Sequence, residues 1–443
     1  MRDYALFIVL GTLLLFAIAR PLWGIGIWSW LSYMSPHRLA YGFIRDAAVV
    51  QFSVVITTIA LLFNWKKRMP WRWSPVTITW WVFVLWITVT WPLAMYPDRA
   101  VDEALRSAKL QVMVLMTFWI IADRAAVNAL VWIIAMSIGF YGFKGGVFTL
   151  ATGGKYMVWG PEGTFLGGNN EIALGLTIIL PLLWYLWKQQ SNVWLKRALL
   201  AGFGLCFIAI LGSYSRGAFL AISVVTFMIW WRSDKKVTVG LVLSVLALLA
   251  FAFMPSKYLH RMESITEYSQ DASALGRLNS WEFAWNVAKA HPIQGGGYGV
   301  FNPEAFRTYA PNPETFHDAH SIYFELLGEQ GFVGLGLYFL MAFLGYRESQ
   351  RIRREAEKTP ETLWAAELMG AIQCSLVAYA AGGAFLGLAY LDLPYQLLAL
   401  VVLTGRIALP DDKERQLRAN ATTTLSRQAL ARIARLGSLK SRA

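Results

Sequence analysis

Apolar runs recur along this chain, each closed by a short polar stretch. An unbroken run of about twenty residues is what an α-helix needs to cross a bilayer. The runs predict spans near 46–63, 76–94, 106–121, 126–142, 170–187, 197–212, 215–232, 237–254, 320–345, 363–388 and 390–406. They are continuous rather than alternating, which argues against a closed β-barrel. The first apolar region, 4–34, is too long for one straight helix and short for two. Arg20-Pro21 is expected to break it, with its second half partly in the membrane interface. No small-residue cleavage site follows Tyr4 to Ala19, so this stretch reads as a signal anchor.

Composition agrees with the pattern. Of 443 residues, 56% are hydrophobic and the mean hydropathy is +0.45, which a soluble chain of this length rarely reaches. A formal charge of +13 raises the question of nucleic acid. The Lys and Arg residues cluster beside the apolar runs, however, as membrane topology demands. The 21 tryptophans and 18 tyrosines suit aromatic belts at the two membrane surfaces. The two cysteines, Cys206 and Cys374, fall inside apolar spans, so neither a disulfide framework nor a thiolate metal site is supported.

Basic flanks set the orientation. Lys66-Lys67-Arg68 with Arg72, Lys188 to Arg197, Arg232 to Lys236, Arg347 to Lys358 and the tail beyond Leu409 go to the cytoplasm. The expected fold is an all-α polytopic membrane protein of about twelve transmembrane helices with both termini inside, provided 4–34 makes one net crossing. Its parts are N-terminal spans over 1–254, a large exterior loop over 255–319, C-terminal spans over 320–410, and a basic tail over 411–443. The tail, with Arg432, Arg435 and Arg442, is suited to anionic lipid, to disorder or simply to solubility. The other exterior loops are 95–105 and the Gly-rich 143–169. Within the large loop, Leu278, Trp281, Trp285 and Ala288 recur at helical spacing, predicting an amphipathic helix on the membrane or over a cavity. Gly295-Gly296-Gly297 and Gly299 then force an irregular turn.

The candidate chemistry gathers on this exterior side. Arg216, in Gly212-Ser-Tyr-Ser-Arg216-Gly, sits at a tight outer hairpin against the charge bias. It is either a snorkelling anchor or a fixed cation for a phosphate-bearing lipid. Arg277 is either a helix-surface charge or a cation pointing into a cavity one turn before Trp281. His317 and His320 would share a face if their segment is helical. Asp318 is the only adjacent carboxylate, so acid–base work or a polar residue at a helix start fits better than zinc. Asn170, in Asn169-Asn170-Glu171, is either a helix cap or a sugar ligand. Lys155 and Tyr214 stand where they can touch phosphate. Asp392 and Glu367, inside spans, read as structural. With no outward Asp-x-Asp pair to hold a divalent ion, arginines in place of a metal are the economical way to hold a diphosphate.

A Ser-Arg-Gly at a span start, an Arg before a Trp in a large exterior loop, a Gly-rich turn and then His320-Ser321-x-Tyr323 resemble the O-antigen ligase and polymerase superfamily over at least 160–345. That family usually shows His-Asn where this chain has His-Ser. The resemblance implies a C-type glycosyltransferase-like fold in the bacterial inner membrane with its site facing the periplasm. It implies transfer of a glycan from undecaprenyl diphosphate to lipid A–core, without metal, nucleotide or other cofactor. His320 would be the base, with inversion following from direct displacement, and Arg216 and Arg277 would hold the diphosphate. The same motifs serve polymerases and protein O-oligosaccharyltransferases. A transporter without chemistry is a separate class, disfavoured by the lack of an internal repeat.

Overall fold

The computed structural model describes residues 2–232, 235–238, 240, 241, 244 and 272–410. Among these there is no strand, and fourteen α-helices carry the fold. They are α1 (Arg2–Ala19), α2 (Pro21–Met34), α3 (Val49–Phe63), α4 (Pro75–Thr90), α5 (Pro97–Ile120), α6 (Arg124–Ala151) and α7 (Asn169–Gln189). There follow α8 (Val193–Gly212), α9 (Arg216–Arg232), α10 (Ala272–Ala290), α11 (Pro303–Tyr309), α12 (Ile322–Ala356), α13 (Leu363–Gly383) and α14 (Asp392–Ala408). Almost all of the span expected over 237–254, residues 255–271 of the expected exterior loop, and the tail 411–443 lie outside the described residues.

Burial sorts the helices. Ile172 to Leu183 of α7 are buried on every side, as are Leu393 to Leu403 of α14, so these two helices form the centre. Packed on α7 are α6, α8, α9 and α13, while α14 touches α5, α12 and α13. At the opposite extreme, α1 buries only Leu10 and Ala17 and leaves Phe7, Leu15 and Phe16 exposed, a surface suited to lipid. Arg20 does interrupt the first apolar region. It takes an extended backbone between α1 and α2, and Pro21 opens α2, where its missing N–H costs nothing.

Seven stretches among the described residues are long and apolar enough to cross a membrane: Arg2–Ala19, Pro75–Leu93, Arg124–Ala151, Asn169–Gln189, Val193–Gly212, Ile322–Ala356 and Pro360–Gly383. The protein is therefore a multi-pass helical membrane protein. Of the expected spans missing from these seven, that over 237–254 lies largely outside the described residues, and α9 and α14 have 17 residues each. Helices α2 and α3 have 14 and 15 residues, about 21–23 Å at 1.5 Å per residue, short of a bilayer core. Helix α5 begins at Pro97, and its first turns carry Asp98, Arg99, Asp102, Glu103, Arg106 and Lys109. Helix α6 continues to Ala151, which shortens the expected Gly-rich loop to 152–168.

The long helix α12 is broken where it matters for the site. Gly331 has φ +66 and ψ −170, outside the helical region. The turn 291–297 docks against that break. Gly296 N donates to Gly328 O (2.8 Å), Gly297 N to Glu329 O (2.9 Å), and Phe332 N to Pro292 O (3.0 Å). The loop thus satisfies the carbonyls that the kink leaves without intrahelical partners. Gly295 and Gly297, at φ +67 and +78, make the approach possible. Beside this seam residues 283–306 have their own small core. Phe283 stacks on Phe306 with ring centroids 4.1 Å apart, against Val287, Val300 and Ala305.

Candidate functional site

The α8–α9 hairpin turns in three residues. Gly212 ends α8 and Arg216 opens α9. Ser213 Oγ accepts from Ser215 N (3.2 Å), and Ser215 Oγ accepts from Ala218 N (3.2 Å), which caps α9. Tyr214 takes the left-handed backbone, φ +57, and its buried hydroxyl donates to the Gly154 carbonyl. Asn169 Nδ2 donates to Ser213 O (2.9 Å), tying the hairpin to the start of α7. This tie corrects the capping expectation. The N-cap of α7 is Gly168, so Asn170 lies inside the first turn and its side chain is not spent on a cap.

Helix α10 organises the histidines. Asn279 Nδ2 donates to Asn312 O and Thr315 O (both 2.9 Å), Ser280 Oγ to His317 O (2.9 Å), and Trp281 Nε1 to Ala319 O (2.9 Å). Trp281 also stacks on Phe324 at 4.9 Å, with planes 9° apart. The segment 312–320 is therefore laid along α10 in non-helical form, and α12 starts only at Ile322. His317 and His320 do not share a helical face. The stripe predicted for α10 is also rotated. Leu278 and Trp285 are exposed, and the buried side is Ser280, Phe283, Ala284, Val287 and Ala288. The helix packs between the small core around Phe283 and the segment 312–320.

Two hollows result. Asn170, Tyr214, Arg216, Arg277, Phe385 and Leu386 line the first, of about 50 Å³. That space holds several waters or the oxygens of a phosphate. Four of the residues singled out from the sequence thus converge from α7, the α8–α9 hairpin, α9 and α10. Lys155 does not line this hollow; it is exposed, with Nζ 5.8 Å from the centroid of the Tyr156 ring. His317 lies over Gly276, where a methyl group would come within 2.6 Å of His317 Nε2. Only a glycine allows that approach, one residue before Arg277.

His320 does not line the first hollow; it is half-buried, with φ +42, like Tyr214 a non-glycine residue in the left-handed region. Such backbone costs energy and collects at functional positions. Its pKa is lowered from 6.5, first by burial and then by the Arg277 charge, with Asp318 and Glu171 opposing. The imidazole is thereby kept neutral and able to accept a proton. No group of His, Cys, Asp and Glu suited to a metal ion occurs among the described residues. Glu367, read as structural, pairs with Lys188 at 3.4 Å and accepts from Gln189 Nε2 at 2.6 Å.

Sequence reasoning passed over the second hollow, of about 310 Å³, whose walls include Glu103, Asp318, Glu325, Glu329 and Asp392. The signal was present in part: Glu325 and Glu329 are four residues apart in a largely apolar helix, hence on one face.

The chain is a multi-pass helical membrane protein in which Arg216 and Arg277 line one small hollow. Residues 201–339 match the family model described as O-Antigen ligase, and residues 1–191 match a family of unknown function, DUF5935. Over residues 201–339, less than half of the chain, the protein is thus similar to the O-antigen ligase family. That segment contains Tyr214, Arg216, Arg277, His317 and His320; Lys155 and Asn170 fall in the other match. No curated protein matches the chain.

Proposed function

We propose that the protein transfers a glycan from undecaprenyl diphosphate to a sugar hydroxyl of lipid A–core, at the periplasmic face of the inner membrane. The observation that carries this reading is the convergence of Arg216 and Arg277 on one small hollow, with His320 under the influence of Arg277. Two guanidinium groups match the oxygens of a diphosphate and stabilise it as it departs. The acceptor hydroxyl oxygen attacks the anomeric carbon while the bond from that carbon to the diphosphate oxygen breaks. The bonding pair leaves with the diphosphate, and the hydroxyl proton passes to His320. Direct displacement inverts the anomeric centre, so a product that retains the configuration overturns this step. Asn170 and Tyr214, on the same hollow, contribute polar contacts to the diphosphate or the first sugar.

The test is transfer by purified protein in nanodiscs, with undecaprenyl-diphosphate glycan, lipid A–core and EDTA. A ladder on the acceptor that His320→Ala loses supports the ligase. Lengthened lipid-linked glycan without a ladder assigns a polymerase. No product of either kind from a competent substrate sends the search to protein acceptors or to transport.

A further inference from the structure

The two hollows flank one turn. Phe385 and Leu386 line the first, while Gly387 and Leu388 line the second. A methyl group on Gly387 would sit 3.6 Å from Glu325 Oε2 and 3.7 Å from the His320 backbone nitrogen. Asp318 and Ala319, just before His320, also wall the larger hollow. A group held there lies beside His320, across the turn from the paired arginines.

The chemistry of the larger hollow is opposite to that of the smaller. Five carboxylates line it, those of Glu103, Asp318, Glu325, Glu329 and Asp392, against Arg106 as the one cationic side chain. An acidic cluster alone says little. Glu329 adds an independent sign. It is 4% exposed, and its Oε2 atom is buried without a well-formed hydrogen bond among the described residues, although the Tyr390 hydroxyl and the Gly299 N–H stand near the carboxyl. A buried carboxylate oxygen left in that state calls for a hydroxyl or amine that arrives with a ligand. Glu103 and Glu325 are partly occupied already, accepting from Gly299 N and Ala389 N at 2.9 Å each. Phe165 and Phe301 supply aromatic walls, and Phe165 is 44% exposed. Carboxylate acceptors beside aromatic faces suit a sugar ring, whose hydroxyls donate and whose C–H face stacks. The volume suits a small polar ligand. A phosphate placed here would face carboxyl oxygens on most sides, with Arg106 alone among the lining residues to pair with it.

We propose that this hollow seats the acceptor and selects an uncharged, polyhydroxylated sugar end over a phosphorylated one. The inference rests on the transfer reading above and narrows it: the attacking sugar carries no phosphate near its reactive hydroxyl.

Binding tests it apart from transfer. The full chain in nanodiscs is probed by saturation-transfer NMR with maltotriose and with maltotriose bearing a 6-phosphate. Wild type binds maltotriose, and the phosphate weakens binding by about tenfold or more. Glu329→Gln and Phe165→Ala each weaken maltotriose binding by about tenfold. Phe165 lies on the open wall, so its variant guards against a misfolded Glu329 variant. Pyrophosphate, the probe for the arginine hollow, binds wild type and Glu329→Gln alike. Three results overturn the proposal: no maltotriose binding by wild type, equal or tighter binding of the phosphorylated sugar, or maltotriose binding indifferent to both substitutions. If pyrophosphate fails to bind wild type while maltotriose binds, the transfer reading fails and the sugar seat stands.

Discussion

Arg216, at the first position of α9, and Arg277, in the second turn of α10, line the same small hollow although a long stretch of chain separates them. If both hold a departing diphosphate, each is worth a large factor in rate. Arg216→Ala and Arg277→Ala should each lower kcat/KM by about 10²–10³-fold. Arg→Lys at either position should fall between, because an ammonium keeps the charge but loses the planar fork. Product ladders over a time course measure both effects.

The pH profile should carry the signature of His320. Its pKa lies below 6.5, so the neutral, proton-accepting form persists to lower pH than for an ordinary histidine. The acid limb of kcat/KM should therefore fall below 6.5. Arg277→Gln removes a charge that lowers this pKa, so the limb should move up in pH. A limb that stays in place would show that another group controls it. His320→Ala should cost about 10²–10⁴-fold at the optimum.

Gly276→Ala tests the seat of His317. The added methyl would come within 2.3 Å of His317 Cδ2, so the ring must move off residue 276. Alanine favours a helix over glycine by about 1 kcal/mol, so stability should hold or rise. We expect transfer to drop by about tenfold, roughly 1.4 kcal/mol of transition-state binding, with an unchanged melting temperature. Unchanged transfer would show that His317 plays no part in the site.

Gly295→Ala should be structurally severe. Residue 295 has φ +67, which costs a non-glycine residue about 1–3 kcal/mol. The new methyl would also lie 2.5 Å from the Gly331 nitrogen, which is backbone and cannot step aside. A clear fall in melting temperature in detergent is expected, together with loss of transfer.

Much of this architecture is legible in the sequence because the bilayer imposes length and hydropathy on each helix. Arg216, Arg277, His320, Tyr214 and Asn170 stand out because each is polar at the end of an apolar run or inside the polar loop. What stays hidden depends on contacts between distant segments. The buried side of α10 could not be read from Leu278, Trp281, Trp285 and Ala288, since the helix is covered by 312–320 on one flank and by Phe301 and Phe306 on another. The histidine pair would share a face only in a helix, yet Asn279, Ser280 and Trp281 hold that stretch in non-helical form through its carbonyls. The acidic hollow draws on five separate pieces of chain, from Glu103 to Asp392, and no local motif announces it.

The seam between Gly295–Gly297 and the break at Gly331 decides how substrates can arrive. Lifting the loop away would strip Gly328 and Glu329 of the N–H groups that complete their carbonyls. Each buried carbonyl left bare costs about 1–3 kcal/mol. The turn 291–297 is thus a fixed roof rather than a door. On the proposed transfer, long lipid-borne reactants would slide in beneath it from the plane of the bilayer, their tails never leaving the membrane.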